Sequence, residues 1–249
     1  MTEQYITARK NPTLQQVRRL LSSRREREQA GLFAAEGTKL LQEAVRFYPG
    51  LHTVILAEGV EAETPEAVRR IRVPKDVLAS LSTMDAPQGA IFLCRLPEPA
   101  PFVPARGMLL LDGVQDPGNL GTILRTADAL DIPVALLEGC ADPYSPKTVR
   151  ASMGAVFRTK VAQTTWAEAQ AACRRAGIPI GVTALSPGAE DLRRAEVAGM
   201  AVVIGSEGQG VRREILESAG QALIIPMNSH CESLNAAVAA AIVMWPMKK

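Results

Sequence analysis

Polar side chains in the second half of the chain are concentrated in three loops, two of which are rich in glycine. The first loop holds Asp112, Gln115, Asp116 and Asn119, with Arg125 one turn into the helix that follows, and the third holds Glu232, Ser233 and Asn235. A glycine-rich loop between a strand and a helix can bind phosphate with its backbone N–H groups. Glycine also allows the backbone to approach a ligand closely, because no Cβ is in the way. The three loops therefore predict a site for a polar ligand.

The two glycine-rich loops lack the residues of the common nucleotide sites. The first loop, 112–121, has no P-loop lysine, and the second, 205–210, is not a GxGxxG run that opens a helix. A generic nucleotide-binding α/β enzyme is thus disfavoured. Each loop taken by itself remains a weak signal.

The third loop begins where Pro226 ends a short apolar run. The run Ala222–Ile225 predicts a strand that stops there, because proline has no N–H to donate to a sheet. The nearly all-apolar stretch Ala236–Met244 predicts a helix that is buried almost all round and capped by Ser233 or Glu232. A capped core helix is the simplest interpretation of this loop alone.

Metal and disulfide chemistry have little support in the sequence. The four cysteines lie far apart and form no CxxC pair: Cys94, Cys140, Cys173 and Cys231. With only His52 and His230, a histidine metal centre or a Ser/His/Asp triad would depend on one of two residues. We therefore expect reduced thiols and no metal.

The chain alternates predicted strands and helices along almost its whole length. Such alternation predicts an α/β fold with a mainly parallel sheet covered on both faces. Ligands of these sheets bind beyond the carboxyl ends of the strands, which is where the three loops are expected. The predicted helices include Thr122–Leu130, Lys147–Phe157, a short helix near Arg213–Ser218, and another short helix that starts at Thr64-Pro65.

A proline-rich stretch divides the chain. Residues 97–106 hold four prolines, a composition typical of an extended linker. We therefore predict a smaller α/β domain over 1–96 and a second domain over 107–249. No run is long and apolar enough to span a membrane, and the first ten residues lack the apolar core of a signal peptide. A cytoplasmic protein is expected.

The net charge of +2 conceals a basic segment near the start of the chain. Residues 9–27 hold seven basic side chains and one acid, Glu26. A helix that begins at Asn11 or Thr13 would bury its leucines and present the arginines to a partner. Six of the basic side chains are candidates for binding RNA phosphates: Arg9, Lys10, Arg18, Arg19, Arg24 and Arg25. A solvated helix face is the simpler alternative.

Taken together, in this order and spacing, the three loops resemble the SpoU (TrmH-type) RNA ribose 2′-O-methyltransferase family of the SPOUT class. The family motifs are matched by Asn119, Gly121, Arg125 and Thr126-Ala127, then by Gly205, Ser206, Glu207, Gly208 and Gly210, and then by Ile225, Pro226, Met227, Glu232, Ser233, Leu234 and Asn235. Ser229 stands where the family has a glycine. Residues 145–158 are similar to the family's intermediate helix. The first domain looks like its ribosomal-protein-like substrate-binding domain.

The resemblance implies a trefoil knot in the second domain and S-adenosylmethionine as cofactor, without a metal. It implies cofactor contacts through the backbone at five positions: Gly205, Gly210, Ile225, Met227 and Leu234. Arg125 would stabilise the reacting ribose hydroxyl, with Asn119, Glu207, Ser233 and Asn235 orienting it. An interior salt bridge from Arg125 to Asp112 or Glu207 is the structural alternative.

The resemblance also implies a homodimer and an RNA substrate. The two-domain architecture is more similar to the family's large-subunit ribosomal RNA enzymes than to its transfer RNA enzymes. Two alternatives remain open: a transfer RNA 2′-O-methyltransferase, and a non-catalytic RNA-binding protein of the same fold.

Overall fold

The computed structural model of the chain describes residues 3–228, 230–231 and 233–248. The strands of this part, in chain order, are β1 (Gln4–Tyr5), β2 (Leu32–Glu36), β3 (Leu51–Ala57), β4 (Arg69–Val73), β5 (Ala90–Arg95), β6 (Met108–Leu111), β7 (Val134–Leu136), β8 (Ala162–Gln163), β9 (Ile180–Thr183), β10 (Glu190–Asp191), β11 (Ala201–Ile204) and β12 (Gln221–Ile224).

Helices connect most of these strands. In chain order they are α1 (Pro12–Ser22), α2 (Arg24–Ala30), α3 (Thr38–Phe47), α4 (Lys75–Ala79), α5 (Pro117–Leu130), α6 (Pro146–Ala151), α7 (Trp166–Arg175), α8 (Arg213–Ser218) and α9 (Ala236–Met244), with short 3-10 helices at Ala155–Phe157, Val197–Gly199 and Trp245–Met247.

The chain forms two compact units, and the first is discontinuous. The first unit contains the chain up to Glu98 and also the segment Tyr144–Arg158. The second unit contains Pro99–Pro143 and the chain from Thr159 onward. The division predicted from the proline-rich stretch kept residues 145–158 in the second domain, whereas here this segment packs with the first unit.

The first unit is built on a five-stranded mixed sheet in the order β1-β4-β3-β5-β2. Both faces of its central strands are buried, because successive side chains of a strand point to opposite faces. One face packs on α1 and α4, where Leu14, Val17 and Leu20 contact Ile55 and Ile71. Asn11 caps α1 by accepting from the Thr13 N–H at 2.9 Å, as the sequence predicts.

An aromatic cluster fills the other face of this sheet. Phe33 packs against Tyr48, Tyr144 and Phe157 with ring centroids 5.1 to 6.4 Å apart, and Phe92 packs on Phe157. Two of these five rings come from the segment Tyr144–Arg158. The core of the first unit therefore depends on a segment that is remote in sequence, which explains why the sequence pattern did not assign it there.

The second unit is built on a seven-stranded sheet in the order β10-β12-β9-β11-β6-β7-β8, and every pairing is parallel. This confirms the predicted α/β fold with a parallel sheet. All four residues of β6 and of β11 are buried. One face packs on α7 and α8 through Trp166 and Ile215, and α9 contacts β11 and α5.

Three helix predictions were wrong in part. No helix follows Thr64, because the segment is a turn in which the Val68 N–H donates to the Pro65 carbonyl. The helix predicted over Lys147–Phe157 is α6 followed by a 3-10 turn, because Met153 and Gly154 both have positive φ. The helix α5 begins at Pro117, five residues before the predicted start. Proline is favoured in the first turn of a helix.

The last helix has the predicted bounds but is not buried all round. Ala236, Ala240 and Val243 are buried, whereas Val238 and Ile242 are 48% and 39% exposed. Trp245, directly after the helix, is 74% exposed. An apolar face of α9 therefore lacks cover within this chain's described residues.

Candidate active site

The parallel register of four neighbouring strands brings the loops after them to one edge of the sheet. Ile204 of β11 lies opposite Leu111 of β6, and β9 and β12 continue the sheet on the other side of β11. The Asp112 N–H donates to the Ile204 carbonyl at 2.8 Å, which joins the first residue after β6 to the end of β11. The first two loops thus begin side by side, and the third begins at the same edge of the sheet, beyond the intervening strand β9.

The first loop is short because α5 starts early. Asp116 caps the helix, its side chain accepting from the Asn119 N–H at 2.9 Å. Asn119 therefore lies in the first helical turn, where its backbone position is held by the cap. The sequence predicts Asn119 in a loop, because glycines such as those at 118 and 121 are typical of loops rather than of a helix start.

The second loop is a tight turn that only glycine permits at its start. Ser206 and Gly210 exchange two backbone hydrogen bonds, of 3.1 and 3.0 Å. A Cβ added to Gly205 would lie 2.1 Å from the Gly210 carbonyl carbon, so any other residue there would displace the backbone. The turn presents Glu207 between these fixed ends.

The third loop ends at Asn235, which caps α9. Its Oδ1 accepts from the N–H groups of Ala237 and Val238 at 3.0 and 3.2 Å. The predicted cap at Ser233 was therefore wrong; the asparagine that directly precedes Ala236 performs this role. The alternative cap Glu232, and the departure from the family at Ser229, lie outside the described residues.

A chain of side-chain hydrogen bonds connects the three loops. The Asn235 Nδ2 donates to the Asn119 Oδ1 at 2.9 Å, and the Asn119 Nδ2 donates to the Glu207 Oε1. Three of the five residues selected from the sequence are thus in direct contact. Because each amide uses both its donor and its acceptor, the orientation of the Glu207 carboxylate is linked to the cap of α9.

Arg125 takes no part in this chain of hydrogen bonds. It is exposed on α5, six residues beyond Asn119 and about 9 Å further along the helix axis. Among the described residues it makes no hydrogen bond or ion pair. Neither predicted salt bridge is present, since Asp112 pairs with Arg212 and Glu207 bonds to Asn119.

The partner of Asp112 is a residue that sequence reasoning missed. The Arg212 Nε lies 2.6 Å from the Asp112 Oδ1, and its backbone N–H donates to the Oδ2 at 2.8 Å. Its guanidinium also reaches Glu138 at 2.7 Å and Glu214 at 2.9 Å. The available signal was Asp112 itself, a single acid directly after a buried strand, which requires a nearby cation.

These contacts change the acidity of Glu138. Partial burial alone would raise the pKa of its carboxyl, but hydrogen bonds from the backbone and from Arg212 outweigh burial and hold the pKa below its ordinary value. Glu138 is therefore ionised at neutral pH. It fixes the guanidinium that connects the first and second loops.

A cavity of about 630 Å³ lies at this edge of the sheet. Its lining includes all five predicted cofactor residues and two of the predicted catalytic ones: Gly205, Gly210, Ile225, Met227, Leu234, Glu207 and Ser233. Val182, Leu185 and Leu216 add apolar walls. Leu185 is 63% exposed and was not foreseen, because a lone leucine after a strand carries no sequence signal.

Cys140 lies near the site without being reactive. Its Sγ donates to the Leu111 carbonyl at 3.1 Å, and burial raises its pKa to about 11. A thiol with such a pKa is protonated at neutral pH and is a poor nucleophile. Within the described residues no group of three or more His, Cys, Asp or Glu side chains could hold a metal ion.

The basic residues near the start of the chain lie in the first unit and are mostly exposed. Arg9 pairs with Asp76 at 2.6 Å, Arg19 with Glu26 at 3.3 Å, and Arg24 with Glu28 at 2.7 Å. The Arg18 guanidinium donates to Ser80 and to the Arg9 carbonyl, whereas Lys10 and Arg25 make no side-chain bond within the described part of the chain.

Arg27, counted in the same basic segment, belongs to the core instead. It is 5% exposed, and its guanidinium donates to the Leu20 carbonyl at 2.7 Å. The pairs made by its neighbours are exposed, and such pairs contribute little to stability, so those arginines remain available to phosphates.

Comparison with known proteins places the chain in a class, the RNA methyltransferases. Residues 107–245 match the SpoU rRNA methylase family, and residues 11–91 match the MRM3-like substrate binding domain. The chain belongs to the SpoU rRNA methylase family. Its mixed α/β architecture is that of the solved structures of this family.

Three relatives illustrate the similarity. The chain is 32% identical over 232 residues to the 23S rRNA (guanosine(2553)-2′-O)-methyltransferase RlmP of Bacillus subtilis, covering 92% of this chain and 93% of that one. An AdoMet-bound rRNA methyltransferase from Sinorhizobium meliloti aligns with a TM-score of 0.86 at 28% identity, covering 98% and 97%. The SpoU methyltransferase AviRb of Streptomyces viridochromogenes, in complex with AdoMet, aligns at 0.81 and 28%, covering 96% and 97%.

None of the helices in the described part of the chain is long and apolar enough to cross a membrane.

Proposed function

We propose that this protein transfers the methyl group of S-adenosylmethionine to a ribose 2′-hydroxyl of RNA. One observation carries the proposal: Glu207 belongs both to the chain Asn235–Asn119–Glu207 and to the lining of the 630 Å³ cavity. A carboxylate held by a hydrogen bond from Asn119 therefore lines the cavity. The known relatives with this architecture are methyltransferases, two of them solved with AdoMet.

The lining of the cavity suits S-adenosylmethionine. Its size falls within the roughly 300 to 1,000 Å³ of ligand sites. Aliphatic side chains such as Ile225 and Leu234 can enclose the faces of an adenine ring, while backbone groups at Gly205 and Gly210 can hydrogen-bond its edge. When bound, the cofactor would supply a methyl group on a positively charged sulfur without a metal: the S–CH3 bond breaks as the O–CH3 bond forms, S-adenosylhomocysteine leaves, and the hydroxyl proton passes to solvent.

The side chains of the site orient the ribose rather than react with it. Glu207 is held by Asn119, so its carboxylate has one preferred direction in which to accept a hydrogen bond from the ribose hydroxyl. Ser233 lines the cavity and is exposed, which allows its hydroxyl to bond a substrate oxygen. We assign positioning to Asn119, Glu207, Ser233 and Asn235, in agreement with the effect of fixed geometry on reaction rate.

Arg125 is proposed to stabilise the oxygen of the reacting hydroxyl as negative charge develops. A guanidinium with a pKa of roughly 12 or more is a poor base but a strong electrostatic partner. In this chain it lies on the exposed surface of α5 that also holds Thr122 and Thr126, one turn before and one residue after it. Its lack of a described partner leaves it available to a second copy of the chain.

A homodimer formed through α5 and α9 would allow Arg125 to stabilise the oxygen of the reacting hydroxyl. A groove of about 580 Å³ is lined by Thr122, Thr126, Val238, Ile242 and Trp245, among others. Three of these are large exposed apolar side chains, a pattern typical of an interface. We expect Ile242→Asp to give monomers in sedimentation and to abolish methyl transfer. A fully active wild-type monomer would contradict this assembly.

The trefoil knot and a cytoplasmic location remain predictions from the family resemblance and from the sequence. The knot would be formed by the chain around the third loop. It is one of the rare exceptions to the rule against threaded chains.

The basic face of α1 and α2 is proposed to bind RNA phosphates. Phosphate contacts position an RNA without naming its sequence. Reversing the charge of Arg18, Arg19, Arg24 and Arg25 should weaken RNA binding, reduce the salt slope by about 0.7 to 0.9 for each lost contact, and leave cofactor affinity unchanged. The control is Arg193→Glu, since Arg193 is exposed in the second unit.

Large-subunit ribosomal RNA is the proposed substrate. Support comes from the match of 11–91 to a substrate-binding domain and from the named target of the Bacillus subtilis relative. The test compares ribose-methylation maps of ribosomal and transfer RNA from cells with and without the gene. One 23S mark should disappear. Loss of a mark in transfer RNA alone would favour the transfer RNA enzyme instead.

Binding of S-adenosylmethionine distinguishes the proposed enzyme from the non-catalytic alternative. A protein that only binds RNA would not bind S-adenosylmethionine and would leave every mark in place. Calorimetric titration with S-adenosylmethionine, followed by the methylation map, therefore distinguishes the two functions.

A further inference from the structure

We propose that the first unit holds a pocket for an unpaired guanine base of the substrate RNA, formed by α3, the loop 61–64 and Arg70. The inference rests on the proposed function only in taking RNA as the ligand. The pocket is remote in sequence from the three loops of the candidate active site, and it involves none of their residues.

The pocket is a cavity of about 710 Å³ on the α3 side of the sheet. Its lining comes from three elements: Thr38, Leu41, Gln42 and Val45 of α3, Glu61 to Thr64 of the loop, and Arg70 of β4. Leu41 and Val45 give an apolar wall for the face of a flat ring. The remaining groups are polar, a combination found in sites for small hydrogen-bonding ligands.

Two buried polar atoms of this lining have no partner. The Thr64 Oγ1 and the Arg70 Nε are buried, and neither makes a hydrogen bond within the described part of the chain. Buried polar groups in native proteins are nearly always satisfied, so each exception calls for an explanation. Two exceptions in one cavity point to a ligand that supplies the missing bonds.

The carboxylates nearby do not satisfy Arg70. Glu3 and Glu61 lie 3.0 and 3.1 Å from the Arg72 guanidinium, their main partner. From Arg70 they are 3.7 and 3.9 Å away, too far for hydrogen bonds. Arg70 therefore keeps donors for a ligand, although its charge is partly balanced.

Glu63 provides the complementary acceptor. It is exposed, lines the cavity, and makes no hydrogen bond or ion pair among the described residues. An arginine and a carboxylate that line one cavity match guanine, whose O6 and N7 accept from a guanidinium while its N1–H and N2 amino group can donate to a carboxylate. Adenine lacks the O6 acceptor and the N1–H donor. The acidic rim also disfavours a phosphate in the same place.

An unpaired base fits better than a paired one. Proteins read RNA sequence mainly in single strands, where the edge of the base is accessible. Two parts of the first unit would therefore bind different parts of the RNA. The basic residues of α1 and α2 would bind the backbone, and the cavity would select one base.

The test uses the full chain without cofactor and three pentanucleotides labelled with fluorescein, UUGUU, UUIUU and UUAUU. Inosine removes only the N2 amino group of guanine, so it tests the contact to Glu63. We expect the guanine strand to bind about tenfold more tightly than either of the others in fluorescence anisotropy. Equal affinity for the three strands, or no binding of any, would overturn the proposal.

Two variants assign the preference to the cavity. Arg70→Gln and Thr64→Val should reduce the preference for guanine to less than twofold. Arg69→Gln is the matched control, because it removes the same charge one residue earlier on β4, where the side chain bonds Gln4 instead. A preference that survives in both cavity variants, or that disappears in the control, would contradict the assignment.

Thr64→Val also separates binding from folding. The hydroxyl it removes is buried and unpaired, so the thermal midpoint of the variant should be equal to or above that of the wild type. A lower midpoint would show that the hydroxyl has a partner within the protein and would overturn the argument. A crosslink from 6-thioguanosine in UUGUU should map to 38–45 or 61–70, and a crosslink found only elsewhere would refute the site.

Failure of this inference and failure of the proposed function are distinguishable. The binding assay contains no S-adenosylmethionine, and Arg70→Gln should leave cofactor affinity unchanged. A wild type that prefers guanine but transfers no methyl group would refute the proposed reaction alone.

Discussion

Arg212 and Arg125 both belong to the second unit and both follow a glycine-containing loop, but their surroundings are opposite. Arg212 reaches three carboxylates, and the nearest, Asp112, is 1% exposed. Arg125 is exposed and makes no ion pair with a described residue. A guanidinium that pairs with a buried carboxylate is held in place, whereas we propose that Arg125, without such a partner, keeps its charge for a substrate.

The difference shows how the fold divides two requirements of the site. The buried charge of Asp112 must be compensated, because an isolated ion in the interior is costly. Arg212 compensates it and also ties the second loop to the first. Arg125 is thereby released from a structural role, and we expect the two arginines to fail in different ways when they are replaced.

Replacing Arg125 by alanine should have the largest effect. Methyl transfer should fall at least about a hundredfold, since one donor to the transition state is lost, while S-adenosylmethionine affinity stays within a few-fold. Single-turnover transfer and calorimetry measure the two quantities. Arg125→Lys, which keeps the charge but loses the planar fork, should lie between the alanine variant and the wild type. Normal turnover in the alanine variant would contradict the role proposed for Arg125.

Replacing Arg212 by methionine should instead affect stability. Asp112 would keep only the backbone N–H of residue 212, and the variant should lose about 1 to 3 kcal/mol in the free energy of unfolding. Arg125→Met is the matched control and should change stability by less than about 0.5 kcal/mol. Urea unfolding at pH 7 compares them. Equal losses in the two variants would remove the distinction between the arginines.

The smallest expected effect is on the stability gap between the wild type and Arg212→Met, which should depend on pH. The pKa of Glu138 is lowered in the folded protein, so its ionised form contributes stability above its unfolded pKa of roughly 4.3. That contribution is lost as the pH falls through the lowered value. Because Arg212 is one cause of the shift, the stability gap between wild type and Arg212→Met should narrow below about pH 4. A gap that widens on acidification would contradict the role of this pair.

Much of the fold followed from sequence because its signals are local. The helices α8 and α9 were predicted with their observed bounds, and the nearly all-apolar run of α9 specifies that helix within its own length. The parallel sheet followed from the alternation of elements. The start of α5 was missed because Asp116 and Pro117, which begin the helix, stood next to glycines that indicate a loop.

The sequence by itself selected the three loops, and their resemblance to the family motifs selected the residues Asn119, Glu207 and Asn235. Only the tertiary structure decided which of them touch, because the register of β6 and β11 determines which loop ends become neighbours. It likewise decided that Arg212 rather than Arg125 neutralises Asp112. Ion pairs between residues a hundred positions apart depend on packing, and packing is not encoded in any short stretch of sequence.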